Sequence, residues 1–285
     1  MTSERRATVI VPTTGDRGPS LEIAVASVLR QTVTDIEVFI VGDGVDDVTR
    51  RVARALCDAD DRVRFVDHPK HVRRGEPYRH EILTQQARGR IVAYLCDRDL
   101  WFSDHLAELE RCLADHDLAT TCMFDDLGRA PVHIRWQVDV TTMLRSERVR
   151  RHNFWGALSA VGHTLEAYQR LPDGWQETPL GIPTDQYMFR QFFDQPWLRA
   201  KASGLPTVVW LKRGEHPGLS TPRRHELLVE WNERLTTSPG EATIRADVLD
   251  ELWNRWQQLE SRRLDQRILQ PMKRSIAALL RPFRR

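Results

Sequence analysis

The stretch "AYLCDRDLWFSDHL", residues 93–106, decides the fold. An apolar run from Ile91 to Leu95 stops abruptly at Asp97-Arg98-Asp99, and Trp101 follows at once. A short continuous apolar run ended by charge reads as a strand buried on both faces, as in parallel sheets covered by helices. Two carboxylates at the end of such a strand point to a divalent cation. The arginine between them needs its own account.

Reading outward, strand and helix signals alternate over the first hundred residues. "ATVIV" (7–11), "EVFIV" (37–41) and "VRFVDH" (63–68) are three further strands, making four with 91–95. Between them, Leu21, Ala24, Val25, Val28 and Leu29 share one helical face, Asp47 is placed to cap a helix through Cys57, and "YRHEILTQQA" reads as a third helix. Ser103 is placed to cap the next helix, striped by Leu106, Leu109 and Leu113. The second half is less regular. Strands are expected at 119–123, 132–136 and 207–211, helical pieces within 141–170, and a Pro/Gly-rich loop over 171–184. Asp185 opens the helix "DQYMFRQFF", and from about 222 the pattern stays helical. Strands alternating with amphipathic helices predict an α/β fold, a mostly parallel sheet with helices on both faces and a C-terminal helical extension.

Composition bounds the class. The 285 residues are 41% hydrophobic and 29% charged, ordinary for a globular chain. No apolar run approaches the roughly 20 residues of a membrane span, and "MTSERRATVIV" lacks a signal-peptide core. Cys57, Cys96, Cys112 and Cys122 have no C-x-x-C spacing, so neither zinc nor a disulfide framework is expected, and the expected location is cytoplasmic. Residues 261–285 hold eight Lys/Arg against one acid, +7 locally, which leaves −5 for the other 260. That is a basic tail on a mildly acidic body and excludes a protein built to coat nucleic acid.

In open α/β sheets ligands bind beyond the carboxyl ends of the strands. There the sequence places Pro12-Thr13-Thr14, Gly42-Asp43-Gly44 and Asp97-Arg98-Asp99. Each alone is ordinary turn chemistry. Together, after strands that should be neighbours, they point to a nucleotide-type pocket.

At these residues the chain resembles the inverting family 2 glycosyltransferases of GT-A fold, from about Ala7 to Ser220. "VIVPTTGDR" is similar to the family's V-I-I-P-T-Y-N-R opening, and "ASVLRQTVTDIEVFIVGDGVDDVT" to its S-V-L-x-Q-T…V-V-D-D-G-S-x-D-x-T stretch. "RGEPYRHEILTQQARGRIVAYLCDRDLW" matches G-x-x-x-A-R-N…Y-I-A-F-L-D-D-D-D-x-W. "PTDQYMFRQF" resembles the E-D-x-x-L-x-x-R helix start, and "EHPGLS" the H-P-G-S-x-S turn. The resemblance implies a glycosyltransferase domain over 1–220, with a nucleotide-sugar-binding half (1–115) and an acceptor half (116–220), followed by the extension 221–285.

The resemblance also implies roles. Pro12, Thr13 and Thr14 would line the base pocket. Asp43 would accept from base or ribose, or else only cap its turn. Arg79 would approach the diphosphate, or remain a solvated helix arginine. Asp97 and Asp99, two apart on an extended strand end, would share one face and hold Mn²⁺ or Mg²⁺, with His216 completing the metal site. Asp185 would be the general base, with helix capping as its alternative role. Arg98, on the opposite face by the same pleat, is expected to turn away from the cation and reach the diphosphate from the flank; the rival is that it stands in for the metal.

The departures are Gly42 for the first acid of the D-D-G turn, Thr184 before Asp185, and Cys96 and Arg98 for two of the four acids. They keep open a catalytically silent relative that binds nucleotide or a partner subunit. A nucleotidyltransferase is disfavoured because "TTGDRG" is not a G-x-G-T-R-L loop. The expected substrates are a UDP- or dTDP-sugar donor and a saccharide or other hydroxyl acceptor, in non-processive transfer, with no nucleic acid and the oligomeric state open. The tail "QRILQPMKRSIAALLRPFRR" fits either peripheral contact with an anionic membrane or a helix packed on the body.

Overall fold

The computed structural model describes residues 5–125, 133–135, 157–211, 220–237, 239–265 and 270. The chain divides into two compact units, Met1–Glu241 and Ala242–Arg285, so the domain boundary expected at 220 falls inside the first.

β1 (Arg5–Gly15), β2 (Ile36–Val45), β3 (Val63–His68) and β4 (Gly89–Tyr94) are the four strands read from the apolar runs. They lie in the order β3-β2-β1-β4, all parallel. The crossovers are α1 (Gly18–Leu29), α2 (Asp47–Ala59) and α3 (Glu76–Gln85). Then come β5 (Leu100–Trp101), α4 (His105–Cys112), β6 (Leu118–Asp125) and β7 (His133–Arg135). A 3₁₀ turn at Leu158–Ala160 leads into β8 (Val161–Thr164), α5 (Leu165–Gln169), α6 (Thr184–Phe193), β9 (Ala200–Val209) and α7 (Thr221–Thr236).

The sheet continues from β4 as β8-β6-β9-β5, with β7 on β6. Because β8 is antiparallel to both β4 and β6, while β6 and β9 are parallel, six of the nine described strands run one way. Both faces are covered. Ala7, Val9 and Val11 of β1 share a core with Leu21 and Val25 of α1, Ala53 of α2 and Leu106 of α4. Ile10 points the other way, into a core with Ile82 of α3, Tyr168 of α5 and Phe189 of α6. Cover on both sides is why these strands read as unbroken apolar runs.

Several local expectations are corrected. The cap of α2 is Asp46, whose Oδ1 accepts from the Thr49 amide at 2.7 Å, not Asp47. Ser103 does not cap α4: its amide and hydroxyl both bond the carboxylate of Glu241. Of the helical pieces expected within 141–170, α5 and the 3₁₀ turn are present, Val161–Thr164 between them is strand β8, and 141–156 lie outside the described residues. The strand expected at 207–211 is β9, which starts earlier, at Ala200, and ends at Val209.

The second unit is helical where described, within α8 (Gly240–Leu264), which begins at the end of the first unit. Leu249, Trp253, Trp256 and Leu259 are exposed on it, and the two tryptophan rings stack at 5.0 Å. No helix among the described residues is long and apolar enough to cross a membrane. The basic segment from 271 onward lies outside the described residues.

Two buried histidines tie the sheet to acid stability. His105 stacks on Trp101 at 4.2 Å and bonds the Thr207 hydroxyl, while His163 bonds the Tyr94 hydroxyl at 2.7 Å. Burial pushes their pKa values from 6.5 down to about 3 and about 4. The unfolded chain protonates both below about pH 6.5 and the folded chain does not. Their contribution is therefore complete above pH 6.5 and is lost as pH falls through their folded values. Asp99, raised by burial to about 6, acts in the opposite sense between its ordinary 3.8 and that value. Near pH 5 the two histidines outweigh Asp99, so together these three groups make stability fall as the solution is acidified there. Urea unfolding across that range tests it. A flat profile would mean the histidines are not held neutral.

Candidate active site

β1 lies between β2 and β4, so the turns after these three strands converge. Pro12 pairs with Val41 and Thr13 with Gly42, and the Leu95 amide donates to the Ile10 carbonyl. The Thr13 hydroxyl donates to Asp97 Oδ2 at 2.9 Å and the Thr14 hydroxyl to the Asp43 carbonyl at 2.6 Å. The three sequence clusters thus form one hydrogen-bonded edge.

Asp43 is buried, and its carboxylate accepts from the Lys70 ammonium and from the His71 amide at 2.6 Å. It therefore fastens the loop after β3 across the end of β2, a longer-range task than capping its own turn. Gly42 stands where the resembled family has an acid because a Cβ there would come within 2.9 Å of the Phe65 ring. The loop after β1 is fastened similarly. The Thr49 hydroxyl donates to the Gly15 carbonyl and accepts from the Arg17 and Gly18 amides, which holds Arg17 close enough to lower the pKa of Asp97.

The acidic segment is not an extended strand end. β4 stops at Tyr94, and the Asp99 amide bonds back to the Cys96 carbonyl at 3.0 Å, closing a turn over 96–99. The pleat argument for a shared face of Asp97 and Asp99 accordingly fails, and the carboxylates take separate partners. Asp97 accepts from Thr13 and lies 3.6 Å from Arg98 Nε. Asp99 accepts from the Ser159 hydroxyl with one oxygen and from the Leu211 amide at 3.0 Å with the other. Arg98, expected to face away, instead acts electrostatically on both. Burial raises both carboxyl pKa values, Asp99 to about 6. Desolvation, with Asp99 beside it, pushes the Cys96 thiol up to about 12, so without a cation the thiol is protonated at neutral pH.

On the other side of this turn, Arg79 of α3 is buried, with its guanidinium over the Trp175 ring at 4.7 Å. It donates to the Arg74 carbonyl, while Nε and Nη1 have no partner. Burial lowers its pKa, offset in part by Glu76. A solvated helix arginine is excluded. Trp175 in turn donates to the Tyr94 hydroxyl, so Arg79 is braced against β4. Asp185 lies in the first turn of α6 and accepts from the Gln186 amide at 2.9 Å. It does not cap the helix, since Pro183 holds the cap position without a side-chain bond. Asp185 adds a small electrostatic contribution to the upward push on the Cys96 thiol, behind desolvation and Asp99.

The donor set fits a dication poorly. Among the described residues no three His, Cys, Asp or Glu side chains gather into a metal-holding group, and His216 lies outside them. Both Asp99 oxygens and one of Asp97 are already hydrogen-bonded. A dication about 5 Å from the Arg98 guanidinium would be repelled by roughly 7 kcal/mol at an effective dielectric near 20. Of the expected site, Asp97 and Asp99 take separate hydrogen-bond partners, and the third expected ligand, His216, lies outside the described residues. Ser159, Arg17, Lys70 and Trp175 were not singled out from the sequence. Arg17 sat inside a quoted motif, whereas nothing local marked Ser159.

Residues 8–164, just over half of the chain, match the family model described as Glycosyl transferase family 2. Among solved structures, the chain is similar to S. aureus TarS 1-349 (TM-score 0.57, 18% identity, 86% of this chain and 70% of that one). A second crystal structure of TarS 1-349, in complex with UDP-GlcNAc, aligns with TM-score 0.54 at 17% identity over 84% of this chain and 69% of that one. The mannosyltransferase PcManGT from Pyrobaculum calidifontis, in complex with GDP-Man and Mn²⁺, aligns with TM-score 0.54 at 18% identity over 98% and 86%. At such identities the likeness is one of fold, the GT-A type.

Proposed function

The chain belongs to glycosyl transferase family 2, and we propose that it moves a sugar from a nucleotide-diphosphate donor, a UDP- or dTDP-sugar, to an acceptor hydroxyl with inversion and without processivity. What supports this is the convergence of Pro12-Thr13-Thr14, Asp43 and the 96–99 turn on one hydrogen-bonded strand edge, with Asp185, the acid the resemblance assigns as base, in the first turn of α6. The edge of Pro12, Thr13, Thr14 and Asp43 takes the base and ribose. Arg79, with two unpartnered nitrogens, lies near the same strand ends and suits diphosphate oxygens. Asp185 accepts the acceptor hydroxyl's proton as that oxygen attacks the anomeric carbon. The new carbon–oxygen bond forms opposite the breaking bond to the diphosphate, which leaves with the electron pair. Arginine charge at the strand ends offsets the negative charge of the departing diphosphate.

One observation favours a second reading, a silent nucleotide-binding relative: a protonated thiol and an arginine replace two of the acids the resemblance leads one to expect. A panel of UDP-, dTDP-, GDP- and CMP-sugars tests both. Thermal stabilisation by a UDP- or dTDP-sugar of about 2–3 kcal/mol at a hundredfold excess over Kd, with donor turnover, is expected. Stabilisation without hydrolysis or transfer to any acceptor would favour the silent relative. No shift with any donor would overturn the nucleotide-sugar reading.

A further inference from the structure

We propose that the Arg98 guanidinium takes the place a divalent cation would hold beside the donor diphosphate, so that this chain binds its nucleotide without metal. The proposal rests on the transferase reading above and deepens it at the diphosphate.

Three observations carry it. Arg98 stands inside the turn, with Nε 3.6 Å from Asp97 Oδ1, and acts on Asp99 as well. A positive charge belonging to the chain thus already lies beside Asp97 and within electrostatic reach of Asp99. Its Nη1 is buried and has no hydrogen-bond partner, while 26% of the side chain is exposed. A partly open guanidinium with an unused N–H matches paired oxyanion acceptors, which it can bind through two parallel N–H···O bonds. Finally, three of the four carboxylate oxygens already accept hydrogen bonds, Asp99 from Ser159 and Leu211 and Asp97 Oδ2 from Thr13, and the fourth, Asp97 Oδ1, faces Arg98.

The two carboxylates and Arg98 sum to a single negative charge, against a dication's need for several hard anionic ligands. That balance makes Asp97 and Asp99 holders of the arginine. Asp97 lies beside the guanidinium, and Asp99 holds the turn to the 3₁₀ turn before β8 through Ser159 and to the segment just after β9 through Leu211. Arg17, held by the Thr49 hydroxyl near Asp97, adds positive charge on the same side. No bond is made or broken by Arg98. It offers charge and N–H donors that do not exchange with solvent ions.

The test is calorimetric titration of UDP and dTDP into the full chain, in excess EDTA and again with Mn²⁺ or Mg²⁺. Wild-type affinity is expected to agree within about threefold in all conditions. Arg98→Ala should weaken binding roughly 10- to 100-fold, the range for losing hydrogen bonds from a charged group. Arg98→Lys should recover part of it. Arg98→Asp, which restores the acid the resemblance places there, should bind poorly in EDTA and gain with Mn²⁺. Near-ultraviolet circular dichroism checks that each variant is folded. Wild-type binding abolished by EDTA and restored by metal would overturn the proposal and leave the transferase reading standing. Unchanged binding by folded Arg98→Ala would overturn it too. Absence of binding by any nucleotide in any condition would remove both.

Discussion

Asp185→Asn is expected to lower sugar transfer by about 10²–10⁴-fold while donor affinity stays within about threefold. Asparagine keeps the shape of the side chain and a carbonyl oxygen that can still accept from the Gln186 amide, so the start of α6 should hold. It removes the one property the reaction needs, a carboxylate able to take the acceptor's proton. The assigned donor groups, Thr13, Asp43, Arg79 and Arg98, lie on β1, β2, α3 and the 96–99 turn, so binding should survive. Single-turnover transfer and UDP titration on the same preparation separate the two effects. Full transfer by the variant would remove Asp185 as base. Loss of affinity with little loss of rate would place Asp185 in the donor pocket instead.

Gly89→Ala is expected to destabilise the first unit by about 3–5 kcal/mol, a large share of the stability of an ordinary domain. A Cβ at Gly89 would stand 2.1 Å from the Thr8 amide nitrogen and 2.3 Å from the Ala7 carbonyl carbon. Both are backbone atoms of the paired strand, so no rotamer change relieves the overlap, and β1 and β4 must part. Their separation would also break a buried network. The Gly89 amide donates to the Thr8 hydroxyl, which donates to Glu37, and Glu37 also receives the Arg88 amide and guanidinium. Gly204→Ala on β9, where nothing lies within 4 Å of the added carbon, is the control, expected within about 0.5 kcal/mol of wild type. Urea denaturation of both variants decides. A Gly89→Ala midpoint matching the control would show that β4 can shift without cost.

The first four strands, their helices and the place of the ligand edge were legible in the sequence for a local reason. Unbroken apolar runs encode strands covered on both faces, and amphipathic spacing encodes the crossovers. Where such a strand ends is marked by the residues that end it: Pro12-Thr13-Thr14, Gly42-Asp43-Gly44 and the charged segment after Leu95. Short-range signals failed in small ways at the caps. Asp46 and Asp47 are equally plausible side by side, and the backbone path into α2 chose Asp46.

The inside of the acidic segment was another matter. Read alone, 97–99 is as compatible with a pleat as with a turn, and the two conformations place Arg98 on opposite sides of the chemistry. The choice came from partners far along the chain: Ser159, 60 residues on, and the Leu211 amide, 112 residues on, hold Asp99, while Thr13, 84 residues back, holds Asp97. Ser159 reaches this point only because β8 inserts antiparallel between β4 and β6, an arrangement without local periodicity to announce it. Residue types therefore drew attention to the two carboxylates, the arginine between them and Asp185 as the proposed base. Whether the carboxylates face a cation from solution or hold the chain's own guanidinium depended on hydrogen bonds between segments that only folding brings together.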